Sequence, residues 1–108
     1  MGRTIPESDW KQFRQLHTVA LERFCERVLA DVHQLASQKG KSAHVRYLAV
    51  YQLIQSRNKE MAAWFDDFRR SMALFQLAIF VSQGLITDQE LSRLSPESRN
   101  ALKAVQEA

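Results

Sequence analysis

Apolar residues recur at helical spacing along most of the chain, and short polar segments separate the stretches. Ser8 and Asp9 are candidate N-caps and Gly40 is a candidate C′ residue, so the pattern predicts a first helix over about residues 8–39. Eight apolar residues fall within one broad arc of this helix: Trp10, Phe13, Ala20, Leu21, Phe24, Val28, Val32 and Leu35. The first helix is therefore predicted to be long and amphipathic.

The middle of the chain predicts two further helices. Ser42 is a candidate cap for a second helix over about residues 43–57. The segment 56–58 has weak helix propensity, which favours a turn there and a third helix over about residues 59–83. The alternative is one continuous helix over both segments. Spacings of four and three residues alternate along a seam typical of close helix packing: Met61, Phe65, Phe68, Met72, Phe75 and Ile79.

The C-terminal segment predicts two short helices. Thr87 and Glu90 fit a capping box that opens a helix over about residues 88–94. Ser95 followed by Pro96 fits the start of a last helix over about residues 96–106. Five helices without a predicted strand or linker indicate one all-α domain spanning residues 1–108. We expect a small bundle of three main antiparallel helices with a short C-terminal helical pair.

The second half of the third helix is apolar nearly all round. Leu74, Leu77 and Val81 form a second stripe on the side opposite the main seam, and Phe80 projects between the two. A helix that is apolar on every side needs cover on every side. Either the C-terminal helices fold over this stripe, or a second copy of the chain docks there as a two-fold dimer. The C-terminal helices are short and poorly apolar, so we expect these four residues to line an interface.

Composition places the chain among ordinary globular proteins. It is 45% hydrophobic and 25% charged, which argues against disorder. The net charge is +3, with acids and bases interleaved rather than gathered into a basic run. The single cysteine, Cys25, favours a reducing compartment. The most apolar stretch, residues 72–81, is about half the length of a membrane span. We therefore expect a soluble, cytoplasmic protein with no membrane association.

Several polar residues fall in predicted apolar arcs. His17 and Asp31 lie in the arc of the first helix, and His44 aligns with Tyr47 and Tyr51 on the second. Gathered around one cavity, these side chains could bind a small molecule or perform acid–base chemistry. A histidine on an apolar face more often bonds one backbone carbonyl and does nothing further. We treat the pocket as an alternative and favour structural roles.

No motif indicates catalysis or a cofactor. Glu-x-x-His pairs, His-x-x-x-His pairs, cysteine clusters and glycine-rich phosphate loops are absent from the sequence, so we predict neither a metal nor a cofactor and name no catalytic residue. Arg99 and Lys103 on the last helix give weak support to nucleic-acid binding, a second alternative. The favoured function is a non-enzymatic interaction or regulatory module, bound to a second copy of itself or to another protein.

Overall fold

The structure, a computed structural model, describes residues 4–108 and contains no β-strand in that range. The all-α prediction is confirmed. The elements are, in order, α1 (Glu7–Ala36), α2 (Ala43–Phe65), a 3₁₀ turn (Arg70–Met72), α3 (Ala73–Ser82), α4 (Asp88–Leu91) and α5 (Pro96–Glu107).

Helices α1 and α2 form a long antiparallel hairpin. Near its base, the rings of Phe24 and Trp64 meet edge to face with centroids 5.5 Å apart. Near its tip, Nη1 of Arg46 donates to the carbonyl oxygen of Ala36 over 2.6 Å. The two helices join through a loop in which Gly40 has φ +82°, a left-handed conformation that costs glycine little.

The second helix is longer than the sequence predicts. It runs without interruption through Ser56 and Asn58, whose exposed side chains are solvated and do not compete with the helical backbone. It ends at Phe65, and a turn over residues 66–69 precedes α3. The predicted break at 56–58 is therefore wrong, and so is the alternative of one continuous helix over 43–83.

Two consecutive aspartates account for the position of the turn. Asp66 and Asp67 are poor helix formers, and their carbonyl oxygens accept hydrogen bonds from the backbone N–H groups of Phe68 and Arg69 over 2.8 and 2.9 Å. The Arg69 guanidinium also binds the Asp67 carboxylate, with Nη2 and Oδ2 2.8 Å apart. The chain therefore reverses after Phe65, and the returning helix enters the core.

The core lies at the base of the hairpin, where α3 packs against the first half of α1 and α5 packs on α3. Five large side chains have no exposed surface: Phe13, Leu16, Leu77, Phe80 and Leu85. The ring of Phe80 stacks on Phe65 at a centroid distance of 4.9 Å, which joins the end of α2 to α3. Aromatic contacts of this kind add to the free energy gained from burial alone.

Charged side chains of α1 fix the C-terminal segment onto the core. Arg23 forms a bidentate ion pair with Glu90 at 2.7 and 2.8 Å. Arg27 donates to the carbonyl oxygens of Gln83 and Gly84 at 2.6 and 2.8 Å. A positive charge at the C-terminal end of a helix is stabilising, because the last carbonyl groups there lack helical partners. These contacts position α3 and α4 against α1.

The predicted caps of the C-terminal helices are confirmed, whereas that of α1 is not. Thr87 and Glu90 form the capping box, and Ser95 caps α5. Helix α1 begins after Pro6 without a side-chain cap. The expected cap residue Asp9 is instead buried, and its carboxylate accepts hydrogen bonds from Ser95, whose N and Oγ lie 2.9 and 2.6 Å away.

The expectation of an interface on α3 is corrected by the burial of its apolar stripe. Leu74, Leu77 and Phe80 are only 4%, 0% and 0% exposed, and Val81 is half-buried. Helix α5 packs on α3 and adds Leu102 to the same core. The C-terminal helices, although short, therefore cover most of the stripe, and the buried Leu74, Leu77 and Phe80 cannot line a contact with another molecule while the core stays folded.

Beyond the core, the hairpin continues as a projection that we call the arm, comprising residues 28–58. No residue of the arm is buried, whereas both helices contribute buried residues at the base. The molecule measures 54 × 27 × 24 Å, in keeping with a two-helix projection from a small core. The surfaces of the arm are thus the least covered part of the fold.

Candidate interaction surface

The five residues of the predicted pocket do not come together in the structure. His17 lies in the core, where its Nε2 donates to the carbonyl oxygen of Phe65 over 3.1 Å. Its ring stacks on Phe68 with centroids 4.1 Å apart, and the edges of further aromatic rings meet it. These contacts satisfy the His17 side chain. Its role is therefore structural, at the place where α1 packs against the end of α2.

Asp31 occupies a different place, on the rim of a cleft between α1 and α2. The cleft has a volume of about 160 Å³ and is lined by Phe24, Arg27, Val28, Asp31, Arg57, Glu60, Trp64 and Gln83. The Arg57 guanidinium lies 2.8 Å from the Glu60 carboxylate and 3.5 Å from that of Asp31. The charged groups of the cleft thus neutralise one another and form the polar contact between the two helices.

His44, Tyr47 and Tyr51 face outward from α2. All three are exposed, and the tyrosines are 66% and 52% exposed. The Tyr51 hydroxyl accepts a hydrogen bond from Nε2 of Gln55 over 2.8 Å, which is a contact along the helix surface. The expected pocket is therefore corrected: its members lie in the core, on a cleft rim and on an outer surface.

Six exposed residues form a seam along the outward side of α2. Their spacings alternate between four and three, which places them on one helix face as in packed helix pairs. Val45 and Tyr47 flank this seam and are also exposed. We call the set the outward face: His44, Leu48, Tyr51, Gln55, Asn58 and Ala62.

None of the six residues of the outward face carries a charge, although the exposed Lys59 lies about 60° from the centre of the face at 100° per residue. From residue 44 to residue 62 it extends about 27 Å at 1.5 Å per residue. Within residues 43–56 the only charged residue is Arg46, which donates to the backbone carbonyl groups of Ala36 and Lys41 at the tip of the hairpin. Long uncharged faces are unusual on solvated helices and typical of helices that pack against another helix.

The side of α2 that packs against α1 is also apolar, and it lies about 120° around the helix from the centre of the outward face at 100° per residue. Val50, Leu53 and Ile54 are half-buried against α1, while Tyr47 and Leu48 point away from it. The large apolar residues from Tyr47 to Ile54 span an arc of about 220° at 100° per residue, which is wider than a single neighbouring helix covers. The surplus apolar surface expected on α3 therefore exists on α2.

The net charge of the chain resides in the arm. Residues 28–58 contain four basic residues and one acidic residue, and the other residues of the chain contain eleven of each. Arg46 and Arg57 are engaged in the contacts described above. Lys39 and Lys41 lie in the exposed loop at the tip, and neither side chain forms an ion pair with the residues that the structure describes.

Other kinds of site receive no support from the described residues. Between residues 4 and 108, no group of three or more His, Cys, Asp and Glu side chains could hold a metal ion. No helix in that range combines the length and apolarity needed to cross a bilayer. Arg99 and Lys103 are exposed on α5 among acidic neighbours at 97 and 107. Comparison with protein-family models, curated proteins and solved structures gives no match.

Proposed function

We propose that the protein is a non-enzymatic interaction module that works as a homodimer, with the outward face of α2 as its docking surface. The observation that carries the proposal is an exposed, uncharged seam at heptad spacing, on a helix whose other side already packs against α1. A two-fold dimer would cover this seam on both copies at once, because each copy presents the same surface.

The exposed side chains of α2 supply much of the area that a small specific contact needs. A fully buried tyrosine removes about 150–250 Å² from water. At 66% and 52% exposure, Tyr47 and Tyr51 together leave roughly 180–300 Å² uncovered in each copy. Two copies thus supply about 350–600 Å² from tyrosines alone. Val45 and Leu48, 47% and 40% exposed, and the polar seam residues contribute toward the roughly 1,000 Å² of a small specific interface.

The arm itself supports an assembly role. A pair of helices without a buried residue gains little from the hydrophobic effect and depends on further packing for stability. A second copy would supply that packing without any new element. We further propose that the module works in the cytoplasm, since the lone Cys25 is half-buried and suits a reducing environment.

The test is the mass of the protein in solution, measured by sedimentation equilibrium between about 1 and 100 µM, the range in which modest interfaces dissociate. We expect the wild type to approach twice its 12.5 kDa chain mass. Leu48→Asp, which places a charge in the seam, should sediment as a monomer with unchanged helical circular dichroism. A wild type that stays at 12.5 kDa throughout this range refutes the proposal.

A matched control separates the seam from general apolar exposure. Phe75 lies on α3 outside the arm and is 55% exposed, which is comparable with Tyr51. Phe75→Asp should therefore leave the mass unchanged. Monomers produced equally by both substitutions would place the contact elsewhere and contradict the assignment of the outward face.

A further inference from the structure

We infer that the two copies pack their arms antiparallel, as a four-helix bundle in which the basic loop of each copy lies toward the acidic end of α2 in the other. This inference rests on the proposed homodimer and specifies its partner surface. It follows from how charge is distributed along α2, because the outward face itself is uncharged and fits either orientation.

The start of α2 is electropositive. Lys39 and Lys41 precede the helix, and its first turn contains no acidic residue. The unpaired N–H groups at a helix N-terminus add a partial positive charge. The Ser42 hydroxyl oxygen accepts a hydrogen bond from one of these groups, the N–H of Val45, but it brings no negative charge. The tip of the arm therefore repels a second tip placed beside it.

The end of α2 is less basic than its start, because two aspartates follow it, although the exposed Lys59 lies seven residues before Asp66. Asp66 and Asp67 follow the last helical residue, and the last turn contains no basic residue. Asp67 is paired with Arg69, whereas the exposed Asp66 forms no ion pair with the residues that the structure describes. The unpaired carbonyl groups at the helix C-terminus add a partial negative charge.

The charges at the two ends of α2 determine which relative orientation of the two arms is favoured. Parallel arms would place four loop lysines side by side, with like charges repelling within a Debye length of about 8–10 Å. Antiparallel arms separate the two loops and bring each toward the aspartates that follow the other copy's α2. Both the side-chain charges and the helix dipoles then favour the antiparallel arrangement.

A bundle of this kind would also complete the arm as a folded unit. Val50, Leu53 and Ile54 are only half-buried in the single chain, because α1 covers one side of α2 alone. Packing a second arm on the outward face surrounds α2 on two sides, as in an ordinary four-helix bundle. Leu48 and Tyr51 would then exchange their exposed positions for central ones.

The orientation is measurable from distances between spin labels in the dimer. In a Cys25→Ala background, a label on Ser37→Cys marks the tip and one on Gln52→Cys marks the middle of α2; both native residues are exposed. Antiparallel arms keep the two tip labels apart by about the 27 Å length of the seam or more. Parallel arms bring them within roughly 10–20 Å, since packed helices lie about 8–10 Å apart.

The label at residue 52 separates failure of the inference from failure of the proposed function. Its two copies should lie within roughly 20 Å in either orientation, because it is near the centre of the seam. A long tip distance with a short central distance supports the antiparallel bundle. Two short distances overturn the orientation while the arm remains the interface. A long or absent central distance overturns both.

Removing the loop charges should change the dimer Kd in opposite directions for the two orientations, which gives an independent test. Lys39→Gln together with Lys41→Gln should raise the dimer Kd about 3–10-fold if the arms are antiparallel, because an attraction is removed. The same change should lower Kd if they are parallel. The effect should disappear in 1 M salt, where the Debye length is about 3 Å. Lys103→Gln, on α5, is the control and should leave Kd unchanged.

Discussion

Replacing Asp9 with alanine tests whether one buried carboxylate holds the C-terminal helix on the core. Asp9 is 3% exposed and accepts hydrogen bonds from the backbone N–H and hydroxyl of Ser95 and from the hydroxyl of Ser98. These groups lie at the first turn of α5, more than eighty residues along the chain. Asp9 thus joins the start of α1 to the start of α5.

The expected loss of stability follows from the groups that the substitution leaves without a partner. In Asp9→Ala, the Ser95 N–H and the hydroxyl of the 2% exposed Ser98 lose their acceptor. An unsatisfied buried polar group costs about 1–3 kcal/mol, so we expect a decrease of roughly 2–5 kcal/mol in the free energy of unfolding. For a chain of this size that lowers Tm by about 10–25 °C at pH 7.

The pKa of Asp9 determines how the difference in stability between wild type and Asp9→Ala changes with pH. Burial alone would raise the pKa of Asp9, but hydrogen bonds from Ser95 and Ser98 outweigh burial and lower it below its ordinary value. The ionised form is therefore favoured by folding, and its contribution is present above the unfolded pKa and lost as pH falls through the folded one. The difference between wild type and Asp9→Ala should therefore narrow in acid.

Thermal unfolding followed by circular dichroism, at equal protein concentration, measures both effects. Glu22→Ala is the matched control, because Glu22 is exposed on the same helix and should change stability by no more than about 0.5 kcal/mol. If Asp9→Ala melts within about 3 °C of the wild type at pH 7, the joint between the two helices contributes no net stability and our account of it fails.

Two further predictions concern the core and the ion pair that fixes α4. Leu77→Ala should lower the free energy of unfolding by about 2–5 kcal/mol, because it opens a cavity in the core. The control Phe75→Ala, at an exposed position of the same helix, should lower it by less than about 1 kcal/mol. Equal losses in denaturant titrations would contradict the burial of the α3 stripe. The Arg23 guanidinium, followed by the Thr87 N–H, lowers the pKa of Glu90 to about 2. Glu90→Gln should therefore destabilise the protein by about 1–2 kcal/mol at pH 7, the half-exposed Arg23 being partly screened. That loss should shrink between pH 4.5 and 2, where the wild-type carboxylate itself becomes protonated, and a pH-independent loss would exclude the ion pair as its cause.

The local signals in the sequence were sufficient for most helix boundaries. The capping box of Thr87 and Glu90 and the Ser95–Pro96 start were predictable, because each depends on backbone groups within one helical turn. The end of α2 was not. The regular aromatic spacing from Phe65 through Phe75 suggested a continuous surface, whereas two aspartates and the packing of Phe65 on Phe80 placed the turn inside that pattern.

The sequence could not predict which apolar surface stays exposed, because that depends on the tertiary structure. Periodicity showed that α3 was apolar on all sides, but it could not show that the short α5 lies across Leu74 and Leu77. The same periodicity counted Tyr47 and Tyr51 among inward residues of α2, since an arc gives no absolute direction. The position of α1 determines which part of the wide apolar arc of α2 is exposed to solvent.

The absence of buried side chains between residues 28 and 58 has a consequence for local unfolding. Separation of the distal helix segments exposes little additional apolar surface, so it does not require Phe13 or Leu77 to leave the core. In the monomer, backbone amides between residues 28 and 58 should therefore exchange with deuterium through partial opening, whereas those near Phe13 should exchange only on complete unfolding. We therefore expect the arm and the core to unfold in separate steps, although α1 runs through both.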